Sequence, residues 1–235
     1  RLAQEAGERV VALVKEGVTA RRIVTKAALE NAIRVDLALG GSTNTTLHVP
    51  AIAHAAEVNV TIDAFDRLSR EVPQLISLRP AGEYMMEDFE YAGGMPAMLK
   101  ALAPRLDLSC LTVSGQTLEA LCRQCAPGDA AVIHPLEDPV AKEGGIAILK
   151  GTLAPDGAVV KQGSVTPEMM QFTGTARVFE DEDSAMQHLL AGKVVPGDVI
   201  IVRNEGPKGG PGMRESLALT AAVAGCGLGD KIAIV

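Results

Sequence analysis

The sequence predicts an α/β chain, with a helical first half and a strand-rich second half flanked by helices. Three observations carry this. Through about residue 105, apolar residues recur at helical spacing between capping residues and glycines. Beyond it, short β-type runs alternate with turn signals and a few helical stretches. Finally, 47% of the 235 residues are apolar and only 3% aromatic, so a sizeable core is available and must be built from Ala, Val, Leu, Ile and Met.

Each element has a local reason. Leu2, Ala6, Val10, Leu13 and Val14 mark an amphipathic helix over 2–15, closed by Gly17. Thr25 caps KAALENAIRVDLAL, which Gly40 and Gly41 end. Ser42 or Thr43 can cap NTTLHVPAIAHAAEV, where Pro50 implies a kink or a late start. Asp63 is expected to cap AFDRLSREV. Gly93 and Gly94 precede MPAMLKAL, with Pro96 suited to a first turn. LSCLTVSG and AAVIHP read as short and β-like. GGIAILKGTLAPDGAVVKQGSV reads as two strands around Pro155–Gly157. GTARVFEDEDSAMQHLLAGKV is a strand followed by a helix, and its EDED run, 180–183, reads as a solvated helix start. GDVIIVRN is a strand, ESLALTAAVAG a helix and KIAIV a strand. A boundary is expected where HPLEDPVAKEGG mixes prolines, glycines and charges, which divides the chain into 1–134 and 135–235.

The balance of charge narrows the function. The net charge is −7, without a block of Lys or Arg, which excludes nucleic acid and acidic membrane surfaces as partners. Aromatics are only 3% and tryptophan is absent, which argues against base stacking as the mode of action. No signal peptide or apolar run of transmembrane length is visible. Cys110, Cys122, Cys125 and Cys226 are too few and scattered for a secreted disulfide framework, so a cytoplasmic location with reduced thiols is expected. The first residues read like a helix interior and the last stop inside a β-type run, so an internal segment of a larger protein is expected.

Four features could carry chemistry. Cys122–Cys125 has CxxC spacing, but a metal or cluster site needs about four ligands, and small buried helix residues explain the pair better. His48, His54, His134 and His188 form no HxxxH or HExxH arrangement and are expected to be structural. In LGGSTNTTLH, the N–H groups and hydroxyls of Ser42, Thr43 and Asn44 can converge on an anion, or the stretch can be a plain capped helix junction. EGPKGGPGMRE, 205–215, is neither a Walker loop nor GxGxxG. It lies where α/β folds place ligands, and Glu215 is either a dipole-compensating residue or an oxygen ligand for Mg²⁺.

Four stretches in order, GGSTNTTLHVPAIAHAAEV, MEDFEYAGGMPAMLKAL, GTLAPDGAVVKQGSV and EGPKGGPGMRE, resemble the dihydroxy-acid dehydratase / 6-phosphogluconate dehydratase family over Thr25 to Val235. The resemblance implies the helical end of an N-terminal α/β, cluster-bearing domain followed by most of a β-barrel-like domain. It implies a hydro-lyase that converts 2,3-dihydroxy acids to 2-keto acids with an iron–sulfur cluster, [2Fe–2S] or [4Fe–4S], and Mg²⁺. GTLAPDGAVVK and RNEGPKGGPGMRE point within the family to 2,3-dihydroxy-3-methyl acids, precursors of branched-chain amino acids. MEDFEYAGGMPA leaves an aldonate dehydratase as the alternative, and a non-catalytic binding domain is the other. Carried over, Glu215 is the Mg²⁺ ligand, and Gly209, Gly210 and Gly212 let the backbone approach closely. Gly41, Ser42, Thr43 and Asn44 belong to a second active-site loop. No catalytic residue falls in the chain: the proton-abstracting serine is expected beyond Val235, and the cluster cysteines and modified lysine upstream of Arg1. The segment alone is expected to be inactive, and the parent to be a homodimer or higher homo-oligomer.

Overall fold

A computed structural model of the chain describes residues 2–206 and 216–235. They fall into two units, Arg1–Ser164 and Val165–Val235.

The first unit is helical. In α1 (Leu2–Glu16) Leu13 is buried, while Val10, Val11 and Val14 face solvent. The short α2 (Ala20–Ile23) leads into α3 (Lys26–Ala38), where Thr25 caps the first turn by accepting the Ala28 N–H at 3.2 Å. Then come α4 (Thr45–Ala55), α5 (Ile62–Glu71), α6 (Met86–Tyr91), α7 (Gly94–Leu102) and α8 (Leu118–Gln124). Two caps differ from expectation. The residue before α4 is Asn44, not Ser42 or Thr43, and the residue before α5 is Thr61, with Asp63 already inside the helix. Pro50 sits inside α4.

LSCLTVSG and AAVIHP form no strands. The former contributes a single isolated bridge, Leu111 with Thr117, and the Ile133 N–H closes a turn on Asp129 O. A β-type run becomes a strand only with a partner edge, and none is offered there. The PDG hairpin does form: β1 (Ala147–Leu149) pairs antiparallel with β2 (Ala158–Val160). Pro155 and Asp156 occupy the centre of a turn closed by the Gly157 N–H on Ala154 O at 3.1 Å.

Helix α3 is the axis of this unit. Its Leu29, Ile33 and Leu37 pack with Phe65 and Leu68 of α5 and with Ile146 and Ile148, while Ala38 joins a second cluster with Leu75, Ile76, Met98 and Leu102. Buried Asn31 ties the middle of the helix to the far loop, donating to Asp107 O at 2.8 Å and accepting the Asp107 N–H at 2.9 Å.

The second unit is a small parallel α/β layer. β3 (Thr175–Phe179), β4 (Asp198–Val202) and β5 (Ala233–Ile234) lie in that order, with α9 (Glu182–Leu190) and α10 (Leu217–Gly225) as crossovers. Ala185, Leu189, Leu219 and Val223 of the helices bury Ile200 of β4. Among the described residues the sheets have two and three strands and do not close into a barrel.

The EDED run starts α9 as expected and is exposed at Glu180, Asp181 and Asp183, with Glu182 the exception. Glu180 is exposed and pairs with Arg203, and Asp181 caps α9 by accepting the Ser184 N–H at 2.7 Å. Glu182, however, is buried, and accepts the Leu219 N–H of α10 at 3.3 Å. It satisfies a donor of a helix that starts 35 residues later, which no local reading anticipates.

Candidate functional site

The GGSTN loop begins where α3 ends. Gly40 sits at φ +64°, and the N–H groups of Gly41 and Gly40 return to Asp36 O (2.8 Å) and Leu37 O (3.2 Å). That pair is a Schellman stop, and a left-handed residue with no side chain completes it at least cost. The remaining carbonyls are taken from outside the helix: the Gly145 N–H donates to Leu37 O at 3.1 Å and the Leu75 N–H to Ala38 O at 2.8 Å. Two distant backbone segments thus fix the point where the loop departs.

Within the loop nearly every donor is already engaged. The Ser42 N–H donates to Asp36 Oδ1 (3.1 Å) and the Asn44 N–H to Ser42 Oγ (3.3 Å). The Thr45 and Thr46 N–H groups donate to the Ser42 and Thr43 carbonyls, both at 3.1 Å. Thr45 Oγ1 lies 2.8 Å from Asp36 Oδ2 and 2.7 Å from Ser42 O. The anionic group on which the loop converges is therefore Asp36, from the last turn of α3. The donors with no acceptor among the described residues are the N–H and hydroxyl of Thr43, which is half-buried, and the hydroxyl of exposed Ser42. Gly41 is bare because a Cβ there would overlap the Asp36 carboxylate.

Asp36 itself is partly buried, and desolvation holds its carboxyl above the ordinary aspartate range. The bonds from Thr45 and Ser42 and the charge of Lys161 offset part of that rise. Sequence reading passed over both Asp36 and Lys161. The available signal was an acidic residue in a last helical turn, where the dipole disfavours it.

Of the second predicted loop, Gly209, Gly210, Gly212 and Glu215 lie outside the described residues. Its flanks are described. Asn204 adopts φ +60° and donates to the Glu180 carboxylate at 3.0 Å, and Glu205 Oε1 accepts the Glu182 N–H at 2.9 Å.

The other candidates are structural. Cys122 is buried, with Sγ 3.7 Å from Leu99 O, and Cys125 Sγ lies 3.2 Å from Leu121 O. Burial raises the Cys122 thiol, and its neighbour Cys125 adds to the shift, so neither feature favours a reactive thiolate. Cys110 accepts a weak bond from Asn31, and Cys226 is exposed in the other unit. His48 and His54 are exposed on α4, His134 Nδ1 contacts Asp138 O at 3.0 Å, and His188 packs on Phe179 with ring centroids 5.2 Å apart. Among the described residues no group of three or more His, Cys, Asp or Glu could hold a metal ion, and no helix is long and apolar enough to cross a membrane. A groove of about 500 Å³ lined by Glu30, Arg34, Glu71, Arg105 and Asp107 is open, mixed in charge and shares no residue with the GGSTN loop.

Two family models match the chain in succession: dihydroxy-acid/6-phosphogluconate dehydratase N-terminal over residues 1–121 and C-terminal over 131–235. The chain belongs to the dihydroxy-acid/6-phosphogluconate dehydratase family. Its curated relatives include the dihydroxy-acid dehydratases of Geotalea daltonii (56% identical), Syntrophotalea carbinolica (54%) and Methanothrix thermoacetophila (52%). Each match covers all of this chain and 42–44% of the relative, so the chain spans less than half the length of these proteins.

Proposed function

We propose that the parent protein is a dihydroxy-acid dehydratase, eliminating water from 2,3-dihydroxy-3-methyl carboxylic acids to give 2-keto acids for branched-chain amino-acid synthesis. The observation that carries this is the 52–56% identity to dihydroxy-acid dehydratases in matches that cover all 235 residues, in both halves of the family pattern. Residues 41–44 line the substrate site, and Thr43 supplies donors that the loop does not use internally. Glu215 ligates Mg²⁺.

The described residues do not fit an iron–sulfur cluster. Their thiols are dispersed or turned to backbone carbonyls, and no acidic or histidine group completes a ligand set. In this reading the cluster ligands, the remaining Mg²⁺ ligands and the proton-abstracting serine lie on parts of the parent outside these 235 residues, and the segment alone is inactive. Held by those parts of the parent and by Glu215, the cluster and Mg²⁺ would supply Lewis acidity toward the dihydroxy acid. The parent is a cytoplasmic homodimer or higher homo-oligomer, divided near 134/135 into an α/β and a barrel-like domain. The gap between the two family matches, 121 to 131, supports that division.

The test is turnover by the full-length protein, purified anaerobically, on 2,3-dihydroxyisovalerate and on pentonates. Turnover of the branched substrate is expected, abolished or reduced at least about 10²-fold by Glu215→Gln together with weakened Mg²⁺ dependence. Turnover of pentonates alone would overturn the substrate, and a Glu215→Gln enzyme with normal metal dependence would overturn the ligand role.

A further inference from the structure

We propose that Asp36 is the positioning residue of the substrate loop: its carboxylate fixes residues 41–45 through the Ser42 N–H and the Thr45 hydroxyl, so that Thr43 presents its open N–H and hydroxyl to the dihydroxy acid in one orientation. The inference rests on the functional reading above.

Its support is the mismatch between where Asp36 sits and what ordinary stability favours. It stands in the last turn of α3, at the negative end of the helix dipole. It is partly buried and makes no ion pair among the described residues, and Lys161 is the cation whose charge acts on it. A neutral side chain would avoid both penalties. What this side chain achieves, and an apolar one would not, is a two-pronged hold on the loop: Oδ1 on the Ser42 N–H at 3.1 Å and Oδ2 on Thr45 Oγ1 at 2.8 Å. The two prongs bracket Thr43 and Asn44 in the chain. The bare Gly41 shows how closely the carboxylate is pressed to the loop, since any Cβ there would meet it. Asp36 also occupies the anion position at the Ser42 N–H. The substrate carboxylate is thereby kept from that amide, and Thr43 is left as the recognition point. The departure of the loop is fixed separately, by the Gly145 and Leu75 N–H groups on the α3 carbonyls. Removing Asp36 should therefore loosen the loop without unravelling the helix.

The experiment compares full-length wild type, Asp36→Ala, Asp36→Asn and Thr45→Val by steady-state kinetics on 2,3-dihydroxyisovalerate and by amide hydrogen exchange of the peptide covering 36–48. Asparagine can still accept from Ser42 N–H and donate to Thr45 Oγ1, which can turn its own proton to Ser42 O. Asp36→Ala is expected to raise KM about tenfold, with a smaller change in kcat, and to speed exchange of the 42–45 amides by about tenfold or more. Asp36→Asn should rescue both, and Thr45→Val should shift both in the same direction by a smaller factor. Unchanged exchange and KM in Asp36→Ala would overturn the proposal. So would an Asp36→Asn enzyme with wild-type exchange but the KM of the alanine variant. If Asp36→Ala does not fold, Thr45→Val decides alone: wild-type exchange and KM there would overturn it. Failure of the wild-type protein to dehydrate any dihydroxy acid would count against the functional reading, while the exchange comparison would still decide whether Asp36 holds the loop.

Discussion

Asp36 in the first unit and Asp198 in the second both accept a backbone N–H from an adjoining turn, yet they are held in opposite ways. Asp198, at the start of β4 and 2% exposed, accepts the Val195 N–H at 3.0 Å and pairs with Arg177 Nε at 3.1 Å. The Val195 amide first, and then Arg177, hold its carboxyl below the ordinary aspartate range. Asp36 has hydrogen bonds but no paired cation among the described residues, and desolvation wins, so its carboxyl is pushed up. The same residue type is a lock where a cation meets it and a strained fixture where none does.

The largest effect separating the two should come from Asp198→Ala, which strips a buried acceptor from both the Val195 N–H and Arg177 and uncouples the start of β4 from β3. We expect it to lower the melting temperature more than any change at Asp36, with hydrogen exchange rising across 175–179 and 198–202. Equal loss of stability for Asp198→Ala and Asp36→Ala would break the distinction.

Next comes Gly41→Ala, which forces a methyl against the Asp36 carboxylate. A cost of about 1–3 kcal/mol is expected from urea denaturation. Combination with Asp36→Ala should recover only part of it, because the carboxylate is gone but the backbone oxygen of residue 36, 2.8 Å from the added Cβ, remains.

The smallest effect is in pH dependence, and its sign differs between the two sites. The stabilisation from Asp198, whose folded pKa is lowered, is fully present above the unfolded aspartate value of about 3.9 and is lost as pH falls through its folded pKa. That of Asp36, whose folded pKa is raised, is fully present below about 3.9 and is lost as pH rises through its folded pKa, with Lys161 the facing charge that moderates it. Relative to Asp36→Asn, wild type should therefore gain stability as pH falls from neutrality toward about 4, by about 1 kcal/mol or less. A difference independent of pH would show that Asp36 carries no unfavourable charge.

Local signals were the legible part of the fold. Thr25 and the Gly40–Gly41 pair bound α3 as expected, Pro155–Gly157 turns a hairpin, and the strand–helix alternation of 175–234 is present as a parallel layer. Two β-like runs did not become strands, because strand formation depends on a partner edge that lies elsewhere in the chain. Helix α6 was missed because six residues give too short a period to read; its start is fixed by Asp88 accepting the Met85 N–H at 2.7 Å. The GGSTN loop was placed at a helix junction, but its anion turned out to be a side chain of the preceding helix. Sequence spacing alone does not say which way Asp36 faces. Glu182 was read as solvated because its partner, the Leu219 N–H, is 37 residues away.

That partnership also defines the stretch 206–215 as a polymer problem. Glu205 on one side bonds the Glu182 N–H, and Leu219 on the other bonds the Glu182 carboxylate, so both flanks return to a single residue. Once the ends of a chain are tethered at one point, the closure entropy varies only slowly with the length between them, by about 0.6 kcal/mol per doubling. The cost of bringing Glu205 and Leu219 to Glu182 therefore depends only weakly on how many residues separate them in the chain.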